Sequence, residues 1–225
     1  MALLLKRAMP DTNFIWVCTP TGNEPAEWFG HMRKVAAAVG TIYPVMRPGG
    51  LKGLIEHYNA LPNWRQRWCT RQLKIEPFAN FLEKLAPAKF YVGLRADEAE
   101  REGGDYAHVP NVQMIFPLRE LEMSLDDVWS FLFSEGWRSF PKRTDCRVCF
   151  FQRLIEWYEL WRDDPEGYAE GIAWEKQTGY TFRSPGRDTW PASLVELAAE
   201  FSAGKVPKDT RTDSLSKLKC RVCSK

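Results

Sequence analysis

Histidine is scarce in this chain, three in 225 residues. His31, His57 and His108 are scattered, and none stands at ligand spacing to a cysteine, so surface or core roles account for them. A charge excess of one sign is also lacking. The 31 basic residues face 29 acidic ones, whereas a polyanion-binding domain usually shows a stronger basic surplus, so nucleic acid is not indicated. No apolar run approaches the roughly 20 residues needed to cross a bilayer. The opening Met1-Ala-Leu-Leu-Leu-Lys-Arg has too short an apolar run for a secretory signal and no basic residue ahead of it. The expectation is a soluble cytoplasmic protein with no membrane partner. No Ser/His/Asp constellation or Rossmann glycine fingerprint is visible, and Asp126-Asp127 and Asp163-Asp164 read as charges at helix ends, not as a catalytic pair.

Cysteine is what the chain does have. Four of the six cysteines lie in two copies of Cys-Arg-Val-Cys, Cys146–Cys149 and Cys220–Cys223. Two residues between thiols is the spacing at which a tight turn aims both sulfurs at one metal ion or cluster. Without an export signal the compartment is reducing, which favours metal binding or redox chemistry over structural disulfides. Taken alone, the two pairs would make a closed four-thiolate zinc site.

Periodicity indicates an α/β protein. Ala2 to Met9 reads as helix stopped by Pro10. Strands are expected at 13–18, 41–46, 89–94 and 112–116, with helices at 24–39, 51–58 and 77–85 and one starting at Ser124, a good N-cap. Strands alternating with helices predict a parallel sheet covered on both faces. Beyond residue 140 strand signals fade, and helices are expected at 150–161 and 191–201. The expected organisation is an α/β core over 1–140 and a helical region over 141–225 that carries both Cys pairs. The polar stretch 204–217 reads as a flexible tether. Ten Trp and thirteen Phe suffice for a well-filled core. The aromatic run from Phe150 to Trp161 has helical spacing and reads as packing before base stacking.

Two segments carry candidate chemistry. Gly93-Leu-Arg95-Ala-Asp-Glu98-Ala-Glu-Arg101 follows a strand, where open α/β sheets bind ligands. Gly93 permits close backbone approach, and Arg95 and Arg101 suit bidentate contacts to phosphate or sulfate; a solvated charged turn is the plain alternative. Cys69 sits among Arg67, Arg71 and Lys74, cations that favour a thiolate, so it is either a ligand, a nucleophile or an inert core thiol.

Thr19-Pro-Thr-Gly22-Asn-Glu24, the Cys69–Pro77 segment, Gly93–Arg101, Pro117-Leu through Asp127-Val-Trp129, and Cys146-x-x-Cys149 follow one another in an order that resembles the phosphoadenosine phosphosulfate (PAPS) reductase family, within the adenine nucleotide α-hydrolase-like superfamily. The resemblance covers roughly residues 1–150. It rests on motif order, since no single motif is decisive. Against the family's Asp-Thr-Gly-x-Glu, this chain keeps Thr21, Gly22 and Glu24 and has Pro20 for the Asp. Against Gly-x-Arg-x-x-Glu-Ser-x-x-Arg it keeps Gly93, Arg95, Glu98 and Arg101, with Ala99 for the Ser. Against Arg-Lys-Val-x-Pro it has Leu73, Lys74, Ile75 and Pro77.

The resemblance implies a parallel sheet flanked by helices, an adenine nucleotide or sulfonucleotide as ligand, and reductive or sulfur-transfer chemistry with an electron donor or partner protein. Gly22, Glu24, Lys74, Gly93, Arg95, Glu98 and Arg101 would border the nucleotide and its anionic groups. Members with a [4Fe–4S] cluster carry a Cys-Cys pair ahead of the Lys segment and a Cys-x-x-Cys some 80 residues later. Here Cys69, Cys146 and Cys149 match, Thr70 replaces the second Cys, and Cys220 or Cys223 is the natural fourth ligand. A thiol of the Cys220/Cys223 pair left outside the cluster, with Cys223 the candidate, would be the nucleophile. The family's Ser-Gly-Gly-x-Asp-Ser phosphate loop has no counterpart, because the sequence opens in what reads as the helix that follows it. Ordinary activity is therefore in question. The alternative is a non-catalytic module in which zinc or a cluster acts as a clasp.

Overall fold

The computed structural model describes residues 1–141 and 146–209. Helix α1, Ala2–Ala8, ends ahead of Pro10 and leads to strand β1, Trp16–Cys18. Helix α2, Ala26–Val39, stops at Gly40 and is followed by β2, Ile42–Pro44, and by α3, Gly50–Tyr58. The next helix is composite. A single turn, α4 (Trp68–Thr70), runs into a π-helical turn at Arg71–Ile75 and on into α5, Glu76–Leu85. Such π turns inside helices recur at functional sites.

Strand β3, Ala88–Tyr91, a 3₁₀ turn at Ala96–Glu98 and β4, Val112–Ile115, come next. Two further helices follow, α6 (Pro117–Glu120) and α7 (Leu125–Ser134). Ser124 caps α7 as expected: its hydroxyl accepts from the Asp127 N–H while the Asp127 carboxylate accepts from the Ser124 N–H. The last helices are α8 (Leu154–Asp163), α9 (Pro165–Thr178) and α10 (Leu194–Ser202). The fold is thus mixed α/β. Among the described residues no strand lies beyond β4, and no helix is long and apolar enough to cross a membrane.

All four expected strands form and pair in parallel, but they do not make one sheet. β1 pairs with β2, Trp16 opposite Ile42, and β3 pairs with β4, Phe90 opposite Met114. Among the described residues no strand pairing joins β1 to β3, so the expected continuous sheet is replaced by two two-stranded ones. Helix α9 had no counterpart in the sequence reading. Its buried face runs through Tyr168, Gly171, Trp174, Glu175 and Thr178, a helical spacing built largely from residues that do not register as apolar.

The largest buried cluster takes residues from both sides of residue 140. Leu51, Leu54, Ile55, Leu61 and Leu73 pack with Val148, Phe150, Trp157, Trp174, Leu194 and Phe201. Trp157 and Leu197 have no solvent exposure, and each such side chain stabilises the fold by roughly 1.5–3 kcal/mol. A smaller cluster, Ala79, Leu82, Phe90 and Val109, lies under β3 and α5. Two buried charged groups of the helical part are satisfied internally. The Glu175 carboxylate accepts from Phe182 N–H at 2.9 Å and Leu194 N–H at 2.8 Å. Arg183 is paired with Asp188.

Candidate functional site

A cleft of about 580 Å³ opens beyond the carboxyl ends of β1 and β3, the place where open α/β architectures take ligands. Val17, Cys18 and Thr19 line one side, and Tyr91 through Leu94 another. The third wall is the composite helix. Arg67, Thr70, Arg71, Lys74, Ile75 and Phe78 face the cleft, a 3–4 spacing that puts them on one helical face. Arg101, Gly103, Gly104 and Tyr106 close it from the loop after the 3₁₀ turn. Four cations line this cleft, and none of its described lining residues is acidic, so its electrostatic preference is for anions.

Three of the residues singled out for anion binding, Lys74, Gly93 and Arg101, meet there. The other four are not among its lining residues. Glu98 is 2% exposed and forms ion pairs with both Arg95 and Arg101. Arg95 itself points to Asp97, Nε to Oδ1 at 2.9 Å. Glu24 folds back on its own loop, where its carboxylate accepts from Thr21 N–H, the Thr21 hydroxyl and Gly22 N–H. Gly22, at φ +76°, makes the turn that allows this. Gly22, Glu24, Arg95 and Glu98 therefore shape and brace the loops and do not line the cleft.

Sequence reasoning passed over Arg119. Its guanidinium donates to Glu98 O at 2.5 Å, to Arg101 O, and to Arg95 O at 3.4 Å, while resting 4.9 Å over the Phe116 ring. One side chain thus gathers three carbonyls of the loop that delivers Arg101 to the cleft. Only the adjacency of an Arg to Pro117-Leu hinted at it. Cys18 was also passed over. It lines the cleft, and burial, with Glu24 nearby, pushes its thiol up.

Cys69, Cys146 and Cys149 do not line the cleft and pack in or against the large core cluster. Asn23 docks the Cys146–Cys149 turn onto the loop after β1: Arg147 N–H donates to Asn23 O at 2.6 Å, and Asn23 Nδ2 donates to Val148 O at 2.9 Å. Cys146 Sγ lies 3.5 Å from the Thr21 hydroxyl. On the other flank Arg147 holds Asp164 through two bonds, 2.5 and 2.6 Å. That contact and the Arg147 guanidinium keep the Asp164 carboxyl below its usual range. Cys149 is 7% exposed within the large core cluster, its N–H bonded to Gln152 Oε1.

Cys146 is near enough for its charge to act on Cys69. Burial first, and Cys146 second, push the Cys69 thiol up, and the opposing pull of Lys74 is weaker. Arg67, Arg71 and Lys74 line the cleft, while Cys69 packs against the core. A metal or cluster would supply the missing positive charge. Soft thiolates suit zinc or an iron–sulfur centre, but among the described residues no three His, Cys, Asp or Glu side chains converge on one point. Cys220 and Cys223, also proposed as ligands, and Cys223 as nucleophile, lie outside the described residues. The described residues alone do not complete a metal centre. Comparison with protein-family models, characterised proteins and solved structures returned no match.

Proposed function

We propose that this chain is a PAPS reductase-like protein that binds an adenylated or sulfated nucleotide in the cleft and serves reductive or sulfur-transfer chemistry on it. The observation that carries the reading is the convergence of Lys74, Gly93 and Arg101 on one cation-lined cleft beyond the strand ends. These residues come from two separate motifs of the resemblance, which implies that they border one ligand. A cleft of this volume falls in the range that encloses small ligands. Guanidinium and ammonium groups around it suit sulfate or phosphate oxygens. Cys69, Cys146, Cys149 and one of Cys220 and Cys223 are the ligands proposed for a [4Fe–4S] cluster, which would supply electron-transfer capacity beside the cleft.

Calorimetric titration with adenosine 3′,5′-bisphosphate tests the binding step. Saturable binding that Arg101→Ala weakens by about tenfold supports it, a loss of the size expected for one charge-assisted contact. Absence of binding overturns it.

A second reading has its own support. The first Cys pair is braced on both flanks by Asn23 and Asp164, as a structural clasp would be, and zinc could be held by Cys146, Cys149, Cys220 and Cys223 without Cys69. Anaerobic purification with metal and sulfide analysis separates the two. One equivalent of zinc, no labile sulfide and unchanged metal content in Cys69→Ser would establish the clasp. Iron with sulfide, lost in Cys69→Ser, would establish the cluster.

A further inference from the structure

The cleft is not uniform along its length. Its helical wall carries Arg67, Arg71 and Lys74 in its first turns and Phe78 in the next. Lys74 and Phe78 are about one helical turn apart on this wall, with Arg67 and Arg71 ahead of them. Phe78 does not stand alone at its end. It meets Phe90 at 5.7 Å and Tyr106 at 5.4 Å between ring centroids, and Phe90 meets Tyr106 at 5.3 Å. All three contacts are edge-to-face, with interplanar angles of 77°, 81° and 82°. Phe90 is buried, whereas Phe78 and Tyr106 are half-buried, and all three line the cleft. On the helical wall the cations therefore precede the aromatic residue, while Arg101 enters from the loop that also brings Tyr106.

Tyr106 is oriented by a glycine two residues earlier. A Cβ on Gly104 would come within 2.6 Å of Tyr106 Cζ and 2.7 Å of its hydroxyl. The ring lies directly on the Gly104 backbone, and any larger residue at 104 must push it away. Smaller core residues alone would fill the space under β3; a tyrosine seated on a glycine at the mouth gives that end a shaped wall.

We infer that the cleft binds its ligand in one polarity, with an anionic group against Arg67, Arg71 and Lys74 and a planar aromatic ring against Phe78, Phe90 and Tyr106. Tyr106, seated on Gly104, is the residue that selects the ring. The ligand class is an aryl or heteroaryl anion. The inference rests on the nucleotide reading above only in taking a nucleotide as one member of that class. Ring contact by edge and face contributes to binding beyond buried area, and the cations fix the other end.

Calorimetry on the full chain with adenosine 5′-monophosphate, phenyl phosphate and ribose 5-phosphate tests this. The wild type is expected to bind the two ring-bearing probes at least about tenfold more tightly than ribose 5-phosphate, the scale of one stacked ring. Tyr106→Leu and Gly104→Ala are each expected to abolish that preference and leave ribose 5-phosphate unchanged, while Tyr106→Phe keeps it. Arg71→Ala is expected to weaken all three probes alike. Equal affinity of the wild type for all probes, binding of none of them, or a preference untouched by Tyr106→Leu and Gly104→Ala, would overturn the inference. If phenyl phosphate shows the preference and its loss in Tyr106→Leu while the adenosine probe does not bind, the polarity stands and the nucleotide reading fails.

Discussion

Asn23 and Val148 are joined across 125 residues of sequence by a 2.9 Å hydrogen bond from the Asn23 side-chain amide to the Val148 carbonyl. Both residues are buried, at 5% and 1% exposure. With the Arg147 N–H bonded to the Asn23 carbonyl, this makes the loop after β1 and the first Cys-x-x-Cys turn a single unit.

Asn23→Ala leaves the Val148 carbonyl buried without its donor. The expected cost is about 1–3 kcal/mol, measured by denaturant titration. Hydrogen exchange should rise first in the Cys146–Cys149 turn. A loss below about 0.5 kcal/mol would mean that the bond does not secure the turn.

The Arg147–Asp164 contact predicts a pH dependence. The folded state holds the Asp164 carboxyl below its usual value of 3.8. The stability it contributes is therefore full above that value and lost as pH falls through the lower folded one. Asp164→Asn should lower stability at neutral pH and flatten the fall on the acid side. Melting curves from neutral pH down to about pH 3 will show whether the wild type and variant converge, as linkage requires.

Glu175 runs in the opposite direction. Burial lifts its carboxyl above the usual 4.5. The protonated form is favoured in the fold, so the associated stability is present below 4.5 and lost as pH rises through the folded value. Glu175→Gln removes that dependence, but it puts an amide N–H₂ where an acceptor faced Phe182 N–H or Leu194 N–H. Net destabilisation at neutral pH of about 1–2 kcal/mol is expected, with a shallower pH profile above 4.5. An unchanged profile would show that Glu175 titrates as an ordinary carboxyl.

Arg119→Lys keeps the charge and loses the fork that reaches three carbonyls. Arg101 should then be held less firmly toward the cleft, and affinity for inorganic phosphate should fall about three- to tenfold, in line with one to two weakened hydrogen bonds. Added methylguanidinium should restore binding in Arg119→Ala but not in Arg101→Ala. Failure of rescue in Arg119→Ala would place the role of Arg119 in folding alone.

Much of the scaffold was legible from local pattern. Short apolar runs ending in Gly or Pro gave all four strands, and Ser124 with Asp127 gave the start of α7. What pattern could not give was the partition into two sheets, because periodicity reports which residues are strands and not which edges pair. Helix α9 escaped because Gly171, Glu175 and Thr178 occupy its buried face. Gly171 is there because a Cβ would come within 2.9 Å of a Leu194 methyl, a demand set by the neighbouring helix. The candidate site was half legible. Lys74, Gly93 and Arg101 follow from motif spacing, whereas Arg119, Gly104 and Tyr106 matter through contacts that exist only once the loop from 93 to 106 has closed. Thr70, which stands where the resembled motif has a second cysteine, is among the residues lining the cleft.

The π turn at Arg71–Ile75 places Leu73, with no exposure, in the large core cluster and Lys74, one residue later, in the cleft wall. A single stretch of backbone thus both covers the interior and forms part of the wall of the cation-lined cleft. Packing defects near Leu73 should therefore register as altered ligand affinity before they register as unfolding. A screen for weakened binders would be expected to recover buried leucines alongside surface arginines.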